Sequence, residues 1–140
     1  MSRLGDVFAD TLYFIGLVSR NDQHHARARA WSRQVDGRIV TTRAVLFEVL
    51  SALARPTWRA AGVVLVEDLL ARSDVDVHDV DDDLWTAGWD LYRARSDKAW
   101  SLTDYVSFEV MREEGLSDAL TADDHFRQAG FRAVLLEEPT

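Results

Sequence analysis

Short apolar runs alternate along the chain with longer segments of helical periodicity. Residues 6–9 read as a buried strand, and residues 11–20 continue as a helix whose apolar side chains nearly encircle it, with Asp10 at the junction. Over residues 23–35, Ala26, Ala30 and Trp31 recur at helical spacing beneath an Arg-rich face, and Asp36-Gly37 supplies a stop. Residues 38–41 read as a second strand. The next helix, residues 43–54, is apolar almost all round, carries Glu48 in its middle and ends before Pro56. A helix over 58–72 leads to a strand at 75–77, and the acids Asp81, Asp82 and Asp83 open a helix bearing Leu84, Trp85, Gly88, Trp89 and Tyr92. Residues 103–114 form a further helix stopped by Gly115. Strands at 118–120 and 133–136, with a short helix at 123–128 between them, complete the pattern.

Apolar strands joined by amphipathic helices imply parallel pairing through crossovers, so the expected fold class is α/β, a central sheet covered on both sides. No linker, repeat or low-complexity segment interrupts it, and 140 residues make one domain, residues 1–140. In such sheets ligands bind beyond the carboxyl ends of the strands. Residues just after strands are therefore the first to inspect.

Composition narrows the chemistry. The chain has no cysteine, which removes disulfides and thiolate metal or redox sites. The longest apolar stretch near the start, residues 11–18, is too short to span a bilayer and follows Asp6 and Asp10, so no membrane association and a cytoplasmic location are expected. The net charge of −8 argues against binding nucleic acid by bulk charge. The charge is unevenly spread, however: ten arginines and seven acids precede residue 73, and six basic residues and seventeen acids follow. The stretch from Arg20 to Arg59, with Arg29, Arg33 and Arg43 within it, leaves room for one face that meets a polyanion, although arginines on solvated helix faces read the same way.

Asp10 ends the first strand, Asp123 follows the fourth, Asp104 opens a helix, and Glu48 stands inside an apolar helix. Taken singly, Asp104 and Asp123 read as helix caps before catalysts, and Asp10 could likewise cap its helix. Glu48 is harder to explain that way, being flanked by Val45, Leu46, Phe47, Val49 and Leu50. Four converging carboxylates without matched cations repel one another, and a divalent ion relieves that cost. An all-oxygen ligand set favours Mg²⁺ or Mn²⁺ over Zn²⁺, and carboxylate-held Mg²⁺ commonly works on phosphate.

The stretch Asp97-Lys98-Ala99-Trp100-Ser101-Leu102-Thr103-Asp104, then Ser107-Phe108, then residues 119–131 from Ala119-Leu120-Thr121-Ala122-Asp123 onward, resembles the C-terminal half of a PIN-domain ribonuclease of the VapC toxin type. Val7-Phe8-Ala9-Asp10-Thr11 is similar to that family's opening strand and first acid, and Glu48 stands where its second acid is expected. The resemblance implies a three-layer α/β/α PIN-like domain with a mostly parallel sheet. It implies that Asp10, Glu48, Asp104 and Asp123 bind one or two Mg²⁺ or Mn²⁺ ions, with Thr11 and Thr103 in support. It further implies endonucleolytic cleavage of RNA to 3′-hydroxyl and 5′-phosphate ends, a homodimer, and a small antitoxin that blocks the site. Leu12 and Tyr13 are bulkier than the family's usual residues there. The adjacent Asp124 leaves open which of two acids faces the metal.

His24, His25, His78 and His125 are too scattered for zinc, and His125 reads as a structural hydrogen-bonding residue before a phosphate contact. Trp85, Trp89 and Tyr92, at i, i+4 and i+7, read as core or subunit interface before a base-stacking platform. Trp100, in the loop before Asp104, is a candidate for closing the site or stacking on a base. The expected function is thus a metal-dependent endoribonuclease, the toxin of a toxin–antitoxin pair. Its rivals are an inactive PIN-like RNA- or protein-binding module, which has no need of clustered acids, and a metal-dependent phosphatase, which calls for an Asp-x-Asp pair where this chain has Asp10-Thr11-Leu12.

Overall fold

The computed structural model describes residues 3–139, so the ends of the expected 1–140 domain lie outside the described residues. Five parallel strands, β1 (Val7–Ala9), β2 (Ile39–Thr42), β3 (Val75–His78), β4 (Asp118–Leu120) and β5 (Arg132–Ala133), form one sheet in the order β3-β2-β1-β4-β5. The helices are α1 (Thr11–Val18), α2 (His25–Ser32), α3 (Arg43–Ala52), α4 (Pro56–Ala71), α5 (Asp82–Ala94), α6 (Leu102–Glu114) and α7 (Asp124–Gln128). From β1 the chain runs outward to β2 and β3, then crosses back to β4 on the other side of β1. The right-handed sense of such crossovers lays α1–α4 on one face of the sheet and α5–α7 on the other. The reversal of direction falls between β1 and β4, which is where ligands gather in open α/β sheets.

The strands are short, and β1 and β2 are buried along their whole length, as the centre of a parallel sheet requires. Val7, Phe8 and Ala9 of β1 and Ala119 and Leu120 of β4 are fully enclosed, and the core continues through Phe14, Trp31, Val45, Val49, Phe108, Met111 and Phe126. Gly88 lets α5 seat closely on α6, since a Cβ there would come within 2.9 Å of Val106 Cγ2. Gly115 ends α6 in the left-handed region, at φ 67°, as its place after the last helical residue predicts.

Several sequence expectations change. The strand read at 133–136 shrinks to β5, and Val134–Leu136 form a 3₁₀ turn. β4 ends at Leu120 and its pairing with β5 stops at Ala119 and Ala133, so no strand partner remains, and the Leu135 amide instead donates to the Thr121 carbonyl at 3.1 Å. Pro56, fixed near helical φ and lacking an amide to satisfy, starts α4 two residues before the predicted 58. On α2 the buried residues are Ala28 and Trp31, and Ala26 is exposed. Helix α3 is not enclosed all round: Val45, Leu46 and Val49 are buried, but Phe47 is 74% exposed. Trp85, Trp89 and Tyr92 are not core residues, being 50%, 40% and 46% exposed. Their helix turns Leu84 and Gly88 inward instead. No helix among the described residues is long and apolar enough to cross a membrane.

Candidate active site

The two central strands deliver two of the acids. Asp10 follows β1 directly, and its amide donates to the carbonyl of Leu120 at 3.2 Å, which holds the ends of β1 and β4 level. Asp10 occupies the N-cap position of α1 without a side-chain capping bond, so its carboxylate is not spent on the helix. Instead Thr121 Oγ1 donates to Asp10 Oδ2 at 2.9 Å, and the same hydroxyl oxygen accepts from the Asp123 amide at 3.0 Å. One threonine thereby ties the first acid to the fourth.

Asp123 caps α7, its Oδ1 accepting from the His125 amide at 2.9 Å. Asp124 points elsewhere, accepting from Gln128 Nε2 and pairing with Arg127, so Asp123 is the member of the adjacent pair that lines the cavity. Asp104 sits at the third position of α6 in a reciprocal cap: Ser101 Oγ accepts from the Asp104 amide, and Asp104 Oδ2 accepts from the Ser101 amide, both at 3.0 Å. His125 Nδ1 lies 3.0 Å from the same Oδ2 and 3.5 Å from Asp123 Oδ1. Both bonds fall on Asp104 Oδ2, so Oδ1 carries neither. The capping reading therefore applies to Asp104 and Asp123, yet each cap uses only part of the carboxylate's capacity.

Glu48 comes from the second turn of α3, whose start is fixed by Thr42 Oγ1 accepting from the Val45 amide at 3.2 Å. Thr11 Oγ1 donates to Glu48 Oε1 at 2.6 Å, which explains a half-buried carboxylate on an otherwise apolar helix. Thr11 thus supports the cluster by a hydrogen bond. The Thr103 carbonyl accepts from Ser107 Oγ within α6, a bond that reaches no acid, and Ser101 is the residue that steadies Asp104.

Asp10, Glu48, Asp104 and Asp123 all line one cavity of about 260 Å³, together with Thr11, Leu12, Ala99, Ser101 and His125. No lysine or arginine lines it. Asp10 and Asp104 are 4% and 7% exposed. Burial pushes the Asp10 carboxyl up to about 7; the Thr11 amide and Thr121 hydroxyl pull it back, while Asp104 and Asp123 add to the rise. Asp104 is also raised, chiefly by burial, against the opposing effect of the Ser101 amide and His125. An oxygen-rich, anion-repelling hollow with no compensating side-chain cation fits a divalent metal. Ligand atoms of Asp104, Asp123 and His125 already lie within 4.8 Å of one another.

Sequence reasoning did not assign Thr121, Ser101 or His125 to the site. The Thr-x-Asp spacing of Thr121 and Asp123 is the available signal, because a residue two before a helix-capping acid shares its turn. The arginines between Arg20 and Arg59, read as room for a face that meets a polyanion, do not line the cavity; Arg43 pairs with Asp79 instead. Trp100 does not close the site. It is buried against Tyr105 and Phe108, with Nε1 donating to Gln128 Oε1 at 3.1 Å.

A PIN domain model matches residues 7–132. The 23S rRNA-specific endonuclease VapC20 of Mycobacterium tuberculosis, in strains CDC 1551 / Oshkosh and ATCC 25618 / H37Rv, is 30% identical over 129 residues, covering 91% of this chain and 97% of the relative. The crystal structure of Mycobacterium tuberculosis VapC20, described as a Sarcin-Ricin loop cleaving toxin, superposes with a TM-score of 0.85 at 29% identity, covering 91% of this chain and 98% of that one.

Proposed function

The chain belongs to the PIN-domain family and is a VapC-like endoribonuclease toxin, and from that premise we propose that Asp10, Glu48, Asp104 and Asp123 hold Mg²⁺ or Mn²⁺ and form the site of RNA hydrolysis. The observation that carries the assignment is the meeting of four carboxylates from four separate parts of the chain in one cavity that no lysine or arginine lines. When bound, the cation supplies water activation and charge balance at the phosphoryl oxygens. Asp10 and Asp104, the most buried pair, are the direct ligands in this reading, and Thr121, Ser101 and Thr11 hold carboxylate oxygens in place. Without a cation the same carboxylates repel phosphate, so RNA entry and metal occupancy are coupled.

Cleavage is endonucleolytic and leaves 3′-hydroxyl and 5′-phosphate ends. The protein acts as a homodimer, and a small antitoxin lays an arginine across the acids in place of the metal. Because the VapC20 relatives act on 23S rRNA, that RNA is the first substrate to test. Purified chain is incubated with ribosomal RNA and Mg²⁺ or Mn²⁺, and the ends are mapped. Discrete 5′-phosphate ends that vanish in Asp104→Asn support the assignment, and full activity in that variant overturns it.

A further inference from the structure

Beside the acid cavity lies a larger one, of about 790 Å³, between the end of α5 and the loop that leads into α6. Ala99 and Ser101 line both cavities, so the two adjoin. The larger one is lined by Trp89, Tyr92 and Trp100 and by Arg93, Arg95 and Lys98, and no acid lines it, in a chain of net charge −8. Trp89 and Tyr92 are nearly parallel, with ring centroids 5.9 Å apart and planes 13° from each other, and Trp85 extends the column at 6.2 Å and 9°. A helix places i, i+4 and i+7 residues in one column, yet nothing in the fold obliges these three to be aromatic on an exposed face.

The cations are arranged for an incoming anion. Arg93 and Arg95 pair with Asp90 and Asp97 at the surface, contacts that phosphate readily replaces. Lys98, the only lysine in the sequence, makes no ion pair among the described residues, and its Nζ lies 5.2 Å from the centre of the Trp100 ring. Only Ala99 and Trp100 separate Lys98 from Ser101, at most about 11 Å between their Cα atoms, and Ser101 also lines the acid cavity.

We propose that this cavity is a subsite for one unpaired nucleotide of the RNA flanking the scissile phosphate, its base stacked on Trp89 and Tyr92 and its phosphate held by Lys98. The assignment rests on the ribonuclease reading of the adjoining acids. Stacking on aromatic rings accepts any base, so the subsite selects single-stranded over paired RNA and not one sequence over another.

The test measures binding of a labelled eight-nucleotide single-stranded RNA to the full chain in Ca²⁺ buffer, with a series of RNAs abasic at one position each. Trp89→Ala is expected to weaken binding about five- to hundredfold, and Trp89→Tyr to restore most of it. Against the RNA abasic at the subsite position, the Trp89→Ala loss disappears, as coupling between two partners requires. Lys98→Gln flattens the salt dependence by about 0.7 in log–log slope. An equal Trp89→Ala loss on every abasic RNA, or unchanged binding in both variants, overturns the proposal. Sedimentation is run alongside: if Trp89→Ala splits a dimer while RNA affinity per chain holds, the surface belongs to a second copy and the proposal falls. If wild-type protein cuts no RNA yet shows the abasic coupling, the ribonuclease reading fails and the subsite stands. If cleavage is normal and both variants bind as wild type, the subsite alone fails.

Discussion

Thr121 Oγ1 donates to Asp10 Oδ2 across 111 positions of sequence, at 2.9 Å, because β1 and β4 run side by side with Ala9 opposite Leu120. The next residue on each strand is then Asp10 and Thr121. The bond is buried, and the hydroxyl simultaneously accepts from the Asp123 amide. Thr121 therefore orients two of the four acids while being neither charged nor a ligand.

Thr121→Val keeps the shape and removes both bonds. Asp10 loses a donor that favours its ionised form, so its carboxyl rises further and its oxygens are free to turn. Loss of such an orienting partner typically costs ten- to a hundredfold in metal affinity. Titration of Mn²⁺ by calorimetry into Thr121→Val is expected to show a loss of about that size with the fold retained. Wild-type affinity in the variant would remove Thr121 from the site.

Metal requirement follows from the oxygen ligand set. Cleavage is expected with Mg²⁺ or Mn²⁺, to stop with chelator, and not to recover with Ca²⁺, whose longer and looser coordination places the reacting groups poorly. A cleavage assay across the three ions checks this. RNA cutting by fully chelated protein would overturn the metal reading.

The parts of this structure legible in the sequence are those governed by local pattern. Each β-strand except the last, and each helix, appears within a few residues of where apolar periodicity and stop signals put it. The 3₁₀ turn at Val134–Leu136 was not legible, because the contact made there, the Leu135 amide on the Thr121 carbonyl, comes from a neighbour in space. The aromatic column of α5 misled for a related reason. Periodicity says that Trp85, Trp89 and Tyr92 share a face, but only the packing of Gly88 on Val106 says that this face points outward. Of the four acids only Glu48 stood out as poorly explained in place, and Asp10, Asp104 and Asp123 read as caps until the family resemblance joined them to it. Their supporting hydroxyls did not stand out, since Thr121 and Ser101 acquire meaning only when β4 and α6 are set beside β1.

Expression of the chain is expected to stop growth, Asp104→Asn to be harmless, and a co-expressed antitoxin to restore growth. Colony counts on inducing plates read all three. The electrostatic warrant is the uncompensated acid cavity, which an arginine from a partner neutralises as a metal does. Harmless overexpression of protein that cuts RNA in vitro would remove the toxin role and leave the nuclease intact.

The acids also set how stability responds to pH. In metal-free protein the Asp10 carboxyl stands at about 7, against an ordinary 3.8, because it is buried. The folded chain therefore keeps a proton that the unfolded chain gives up, and the resulting stabilisation is fully present below the unfolded value and lost as pH rises through 7. Its size is at most about 4 kcal/mol, the two values being roughly three pH units apart at about 1.4 kcal/mol each. Asp104 is shifted in the same direction. Opposing it are Asp36, Asp74, Asp76, Asp97 and Glu137, held low by neighbouring arginines. These favour folding above their unfolded values and lose their effect as pH falls through the depressed ones. They lie at the surface, where such pairs contribute little, and act only in acid. In chelator, the melting temperature is expected to rise as pH falls from 8 to 5, and Asp10→Asn to raise it at pH 8 and flatten the slope. Added Mn²⁺ reverses the slope, because the cation binds the ionised carboxylates and stabilises more as they lose protons. A metal-free melting temperature that falls from pH 8 to 5, or an Asp10→Asn protein less stable than wild type at pH 8, would contradict the strained, proton-holding cluster described for this site.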